Sequence, residues 1–427
     1  MRIVPATLTL ACLLALAGAA PMASAATDEL DALKLEAEPA KADKAPARPL
    51  RMFAEAAAGS ADQRYGLGTQ SLQRMSLDLQ YGARLSADWR IVFSDRLDIV
   101  HPKPANTDAA VNTLREAYVG WQDEAGQRAA EFGRISLRNG PGYGYNPTDF
   151  FRAGSQRAVT TVDPIALRDN RMGTVAARVQ GTWTGGSLAL ALAPKLSSKP
   201  SNDGFNPDLG ATNDRHRAQL VWSQKVGEGV SGQWLMFKQD GQPLAVGASA
   251  TALLGEAVVA HAEWSTSREP TLIDRVNASA AVPTIRADRA VVGMTFSAPA
   301  ATTVTAEYQY NGFALGGREW AAVAAGGGVP QLGAYLLKAD ERLDLAARRA
   351  LLIYATKKHL GVKNLDLTAL VRLNVDDDSY LAWVELRYQW AQAELALQWL
   401  QLQGNSLTEF GTVPTRRSVQ LVGTYRF

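Results

Sequence analysis

The chain has 427 residues, of which 47% are hydrophobic and 20% are charged, and its formal net charge is +2. This near-neutral balance gives no general attraction to nucleic acid or to a strongly acidic partner. The one cysteine, Cys12, excludes an internal disulfide and any site built from several thiolates.

Residues 1–25 are typical of a secretory signal peptide. Arg2 precedes an apolar stretch, and Ala23-Ser24-Ala25 provides the small residues of a cleavage site. The apolar core is shorter than the roughly 20 residues of a spanning helix, which disfavours a retained anchor. Cleavage after Ala25 would remove Cys12 and leave no thiol.

The next segment, residues 26–49, is rich in Ala, Lys, Glu and Pro and is predicted to be a flexible periplasmic lead-in. A short helix over Asp28 to Glu38 is the alternative, because Leu30, Leu33 and Leu35 could form a partial stripe. Beyond the leader, the chain has no run of eighteen uninterrupted apolar residues, which excludes helical membrane spans. A closed β-barrel is the other way to satisfy every backbone amide in lipid.

Alternating polar and apolar residues indicate strands throughout the rest of the chain. Residues 72–84, 363–373 and 379–390 show the pattern best, and the carboxy-terminal strand ends on the aromatic Phe427. The sequence predicts an all-β fold, a transmembrane antiparallel β-barrel over residues 50–427 with about 18 strands, 16 being the alternative, and with periplasmic termini. The predicted strands are 51–58, 70–84, 87–98, 113–123, 127–137, 172–184, 186–194, 215–225, 230–239, 242–251, 256–265, 287–298, 302–311, 346–358, 363–373, 378–389, 391–402 and 415–427.

Connection lengths support this prediction. Linkers after even-numbered strands are tight, whereas most of those after odd-numbered strands are long, the largest being 138–171, 195–214, 266–286 and 312–345. Short periplasmic turns that alternate with long outer loops are typical of outer-membrane barrels. Aromatic residues near the ends of the apolar rows, such as Trp89 and Trp399, would form the interfacial girdles.

The segment 138–171 is too long and too rich in Gly and Pro for one strand. We predict that it folds into the lumen and forms a constriction, rather than lying on the surface as a lid. Aromatic and charged side chains in such a constriction can select solutes. The candidate constriction residues are Tyr143, Tyr145, Asp149, Phe150, Arg152, Arg157, Arg168 and Arg171.

Strand parity places further charged residues in the lumen. They are Arg74, Arg84, Arg178, Arg217, Arg289, Arg372, Arg387, Glu307, Asp366, Glu385 and Glu394. Two interpretations stay open: a basic ladder that guides an anionic solute, or a network of paired charges that fills the interior. No metal site or cofactor is predicted, since the acidic residues Asp376, Asp377 and Asp378 lack a calcium-loop spacing. His261 and Glu263 lack the further groups that a hydrolase needs.

The segments LREAYVGW, EFGRISLRNGPGYGYNPTDFFR and VDPIALRDNR, within residues 113–172, resemble a group of porin-like outer-membrane proteins of Gram-negative bacteria. In that group an Asn-Pro-x-Asp segment, here Asn146 to Asp149, lies in the loop after the Gly-Arg strand. The resemblance implies a channel and supplies no catalytic residues. The Pro-Glu-Phe-Gly-Gly loop of general-diffusion porins is missing from the sequence, which argues against unselective diffusion.

The predicted function is passive passage of small polar or anionic solutes through the outer membrane, without enzymatic activity. The expected partners are outer-membrane lipid, lipopolysaccharide, the small solute and, through the carboxy-terminal strand, the barrel-assembly machinery. The sequence leaves the oligomeric state open. The alternatives are an export or lipid-handling component with a periplasmic partner and, third, a barrel-embedded enzyme.

Overall fold

The computed structural model describes residues 49–103, 108–277 and 282–427. The predicted signal peptide and the alternative helix over residues 28–38 lie outside the described residues, and both stay predictions. None of the described helices is both long and apolar enough to cross a membrane.

The described chain folds into one closed antiparallel sheet of eighteen strands, which confirms the predicted fold class and the count of 18 rather than 16. Each strand pairs with its neighbours in sequence, and β1 pairs with β18, for example at Ala57 and Val422, to close the barrel. The strands are β1 Leu50–Gln63, β2 Thr69–Arg84, β3 Trp89–His101, β4 Ala110–Gln122, β5 Arg128–Ile135, β6 Thr174–Trp183, β7 Gly186–Ala193, β8 Arg217–Gly227, β9 Val230–Gln239, β10 Ala245–Leu254, β11 Val258–Glu269, β12 Ile285–Ala298, β13 Thr302–Asn311, β14 Arg349–Lys357, β15 Leu365–Asn374, β16 Tyr380–Gln389, β17 Ala393–Gln403 and β18 Thr415–Arg426.

Side-chain direction alternates along the strands as the sequence pattern requires. In β12, Val292, Met294 and Phe296 point outward and are exposed, whereas Val291 and Thr295 point inward and are buried. The outer surface is therefore an apolar band and the inner surface is largely polar. Most of the predicted girdle aromatics are exposed on this band: Tyr81, Trp89, Trp183, Trp222, Trp264, Trp390, Trp399 and Tyr425.

The weakly alternating strands β5 and β10 pair on both sides like the others. Neither of them is a seam in the described barrel. The short connections at residues 240–244 and 375–379 also join complete strands, although they break the alternation of connection lengths. A lateral opening, which would favour a lipid-handling component, gains no support from this pairing.

The long connections carry five helices: α1 Pro164–Asp169, α2 Leu209–Thr212, α3 Leu272–Val276, α4 Gly317–Glu341 and α5 Glu409–Thr412. The long linker predicted over 312–345 contains α4, which the sequence pattern did not predict and which breaks at Gly328, where φ is +58°. Three successive glycines and Pro330 interrupt this segment, so the sequence shows no continuous helical period. Trp320, Leu332 and Tyr335 of α4 form an apolar core with Leu272 of α3.

Candidate functional site

Residues 136–173, which connect β5 to β6, lie within the barrel against inward-facing wall residues. We call this segment the inner loop. Glu263 of β11 is buried and accepts hydrogen bonds from the backbone N–H of Gly142 at 2.6 Å, from Oγ1 of Thr148 at 2.8 Å and from Nδ2 of Asn146 at 3.1 Å. The Asn-Pro-x-Asp segment thus contacts the barrel wall. Its link to a family stays a prediction.

A second wall carboxylate, Glu307 of β13, holds the adjacent part of the inner loop. It accepts hydrogen bonds from the backbone N–H groups of Tyr143 at 2.6 Å and Gly144 at 3.0 Å, and Nε2 of His261 lies 2.9 Å from it. Gly140 has φ of +88°, and a Cβ there would lie 2.2 Å from a Glu263 oxygen. Only glycine fits this position without moving the wall carboxylate.

Asp344, in the connection between β13 and β14, ties the inner loop to another part of the wall. Its carboxylate accepts hydrogen bonds from the Tyr145 hydroxyl at 2.5 Å and from Arg152 at 3.1 Å, and it pairs with Arg289 of β12 at 2.9 Å. Burial acts to raise the pKa of Asp344, but the guanidinium groups of Arg289 and Arg152 outweigh it and hold the pKa well below its usual range.

An aromatic cluster holds the middle of the inner loop. Phe150 stacks on Phe237 of β9 with ring centroids 5.0 Å apart, and Phe151 meets the same ring edge-on at 5.4 Å. Ala193 and Ala245 pack around them. This cluster buries the apolar part of an otherwise polar loop.

We expect Phe237→Ala to lower the free energy of unfolding by about 3 kcal/mol, because it leaves a cavity under two loop aromatics. Urea titration of the refolded barrel, followed by tryptophan fluorescence, measures this. Phe205→Ala is the control, since Phe205 is 66% exposed in a surface connection and its loss should cost less than about 0.5 kcal/mol. Equal effects of the two substitutions would contradict the anchoring role of Phe237.

The remaining candidate arginines of the inner loop bind groups within the loop and outside it. Arg171 pairs with Asp149 at 2.7 Å, and Arg168 donates to the backbone carbonyls of Asn139 and Gly140 at 3.1 and 3.0 Å. Arg157 donates to the carbonyl oxygens of residues 112, 203 and 206 at 2.6 to 2.8 Å. The contacts of Arg168 and Arg171 fix the shape of the loop, and those of Arg157 tie it to β4 and to the connection between β7 and β8.

The predicted lumen charges are largely paired with one another or with neighbours. Their contacts are Arg74 to Glu55 at 2.7 Å, Arg178 to Glu131 at 3.1 Å, Arg217 to Asp214 at 2.5 Å, Arg289 to Glu269 at 2.7 Å, Arg372 to Glu409 at 2.7 Å, and Arg387 to Glu385 at 2.8 Å and to Glu394 at 2.6 Å. Asp366 accepts hydrogen bonds from His359 N and Gln389 Nε2, both at 3.0 Å. Among the predicted arginines, Arg84 has no carboxylate partner in the described residues. The paired-network interpretation therefore fits the geometry of the other six.

Two adjoining cavities, of about 520 and 700 Å³, lie along the wall from β1 to β9. The first is lined by residues of β1 to β6 and of the tight turns between them, and the second lies between the inner loop and β4 to β9. Both are lined by Glu116, Tyr118, Glu131, Arg138, Asp169, Arg178 and Gln180. These residues mark the junction of the two cavities.

Of the eight candidate constriction residues, only Tyr143 and Arg168 line these cavities. The buried Tyr145, Asp149, Arg152 and Arg171 anchor the loop instead. Sequence reasoning missed Glu131, Arg138 and Asp169 as lining residues, although the inward parity of β5 could have identified Glu131.

Arg115 was also missed, because β4 contains a bulge. Ser94 pairs with Glu116 and Asp95 pairs with Leu114, so Arg115 is skipped and both Arg115 and Glu116 turn inward. Arg115 contacts Asp78 at 2.5 Å. Strict alternation cannot show two consecutive inward residues. No cluster of three or more potential metal ligands occurs within the part of the chain that the structure describes.

No protein-family model and no curated protein sequence matches the chain. Solved structures do. Acinetobacter baumannii OccAB1 is 10% identical with a TM-score of 0.56, covering 88% of this chain and 96% of that chain. Pseudomonas aeruginosa OpdQ is 11% identical with a TM-score of 0.53, covering 88% and 97%. Pseudomonas aeruginosa OccK10 (OpdN) is 12% identical with a TM-score of 0.51, covering 89% and 99%.

These three neighbours are outer-membrane porins of Gram-negative bacteria. This chain has the porin fold. At such low identity the likeness concerns the barrel architecture alone.

Proposed function

We propose that this protein is an outer-membrane channel for passive passage of small polar or anionic solutes. The observation that carries the proposal is a closed barrel with an apolar outer band and an inner loop that leaves polar cavities beside it. An apolar exterior suits lipid, and a polar, partly open interior suits water and solute.

The charge of the cavity walls supports the preference for anions. Seven arginines and four carboxylates line the two cavities. The arginines are Arg51, Arg84, Arg90, Arg115, Arg138, Arg168 and Arg178, and the acids are Asp88, Glu116, Glu131 and Asp169. A local excess of positive charge raises the concentration of small anions at the wall.

The same proposal includes the cellular context. We assign residues 1–25 to a cleaved leader, residues 26–49 to the periplasm and residues 50–427 to the membrane barrel. The aromatic carboxy-terminal strand would be the part that the barrel-assembly machinery recognises, and lipid and lipopolysaccharide would surround the apolar band. The mechanism requires no cofactor and no covalent step.

The proposal is tested by reconstituting the refolded protein in planar bilayers. We expect discrete conductance steps, and swelling of liposomes in small sugars and organic anions. A preparation unfolded in urea and diluted in the same way is the control. If the folded barrel gives neither steps nor uptake above this control, the channel function is wrong.

A further inference from the structure

Glu131 of β5 lies at the junction of the two cavities and contacts two arginines from neighbouring strands. Nη2 of Arg90, from β3, is 2.8 Å from Oε1 of Glu131, and Nη1 of Arg178, from β6, is 3.1 Å from Oε2. The side chains of Arg90 and Arg178 are 43% and 26% exposed, whereas that of Glu131 is 10% exposed. One enclosed carboxylate thus holds two guanidinium groups that face the lumen.

The neighbouring groups fix this arrangement. Arg178 donates to Oε1 of Gln180 at 2.5 Å, and the Arg90 guanidinium lies 5.8 Å from the ring centroid of Tyr118. A guanidinium keeps its positive charge while it is paired. Arg90 lines the first cavity and Arg178 lines both, so a solute in these cavities is exposed to their charge.

The balance of charge at the junction depends on the paired acids. Arg138 pairs with Asp169 at 2.6 Å on the inner loop, and both residues line the same two cavities as Glu131. With Glu131 ionised, Arg90 and Arg178 contribute one net positive charge. Without it they would contribute two, at the junction of the two cavities.

We infer that Glu131 sets the charge selectivity of the passage by offsetting part of the positive potential of Arg90 and Arg178. This inference rests on the proposed channel function. It assigns to one carboxylate a role in selectivity beyond the general excess of positive charge along the walls.

The test is the reversal potential of the reconstituted barrel in a gradient of KCl. In Glu131→Gln, both arginines lose their anionic partner, and we expect the permeability ratio of chloride to potassium to rise about threefold. The shift should shrink in 1 M salt, where the screening length falls to about 3 Å. Arg178→Gln should shift the ratio in the opposite direction, towards potassium.

Glu394→Gln is the matched control. Glu394 of β17 also bridges two arginines, Arg387 at 2.6 Å and Arg426, but it lines neither cavity. Its substitution makes the same change in net charge and should alter the permeability ratio much less. Folding of each variant is checked by its heat-dependent mobility in gels.

The outcomes separate the two proposals. An unchanged ratio in Glu131→Gln, or an equal shift in Glu394→Gln, would overturn the role of Glu131 while leaving the channel intact. If Glu131→Gln does not fold, an unchanged ratio in Arg178→Gln overturns it instead. Wild-type protein without conductance would refute the channel itself.

Discussion

Asp344→Asn is expected to lower the free energy of unfolding by about 3 to 5 kcal/mol, because it removes a buried charge that balances Arg289 and Arg152. The Tyr145 hydroxyl would also lose its carboxylate acceptor. Urea titration of the refolded barrel measures the change. Because the folded pKa of Asp344 is lowered, its contribution is present at neutral pH and is lost as the pH falls below the ordinary aspartate pKa of about 3.9. Asp344→Asn should lack this loss in acid.

Glu341→Gln is the control for this substitution. Glu341 pairs with Lys338 at the end of α4, and its side chain is 58% exposed. Such exposed pairs contribute less than about 1 kcal/mol, so stability should change little. A comparable loss of stability in both variants would show that Asp344 contributes no more than an exposed ion pair does.

Removal of residues 141–168, with a short Gly-Ser linker in their place, is expected to raise single-channel conductance severalfold. The inner loop occupies the lumen beside the two cavities, and its loss would widen the water-filled section. Conductance steps in planar bilayers measure the effect. This variant distinguishes a constriction from a surface loop.

The double substitution Glu263→Ala and Glu307→Ala tests the same loop without deleting it. These two carboxylates accept the backbone and side-chain donors of residues 142–148, so their removal should release that part and produce larger or noisier conductance. Glu385→Ala is the control, because Glu385 of β16 binds Arg387 and Gln398 rather than the donors of residues 142–148. Wild-type conductance in both the deletion and the double variant would mean that the loop does not limit flow.

The strands could be predicted because apolar residues that face outward alternate with polar residues that face inward along most of them. Leu77 and Asp78 of β2 show this directly, with 43% and 0% exposure. The bulge at Arg115 could not be predicted, because it depends on the register with β3 rather than on the pattern of β4. Alternation along a strand shows which side chains face inward and which face outward. The register of pairing, and therefore a bulge, is set together with the neighbouring strand.

The candidate site was predictable only in outline. The length and composition of residues 138–171 indicated an unusual loop, but its anchors come from distant parts of the chain. Asp344 follows a helix in another connection, and Glu263 is one of many inward acids. Which side chains hold the loop and which stay open to solute depends on these long-range contacts. This is why Tyr145 and Arg152 are buried and tie the loop to the wall, whereas Glu131 lines both cavities.

The pairing of β1 with β18 also has a consequence for how the molecule forms. The first and last strands of the described barrel meet in register, and the amide of Phe427 donates to the carbonyl of Met52 at 3.0 Å. Bringing such remote segments together costs loop-closure entropy before any contact repays it, which makes closure slow. Until β18 arrives, two unpaired edges remain available to other chains, so a truncated polypeptide would be prone to aggregation.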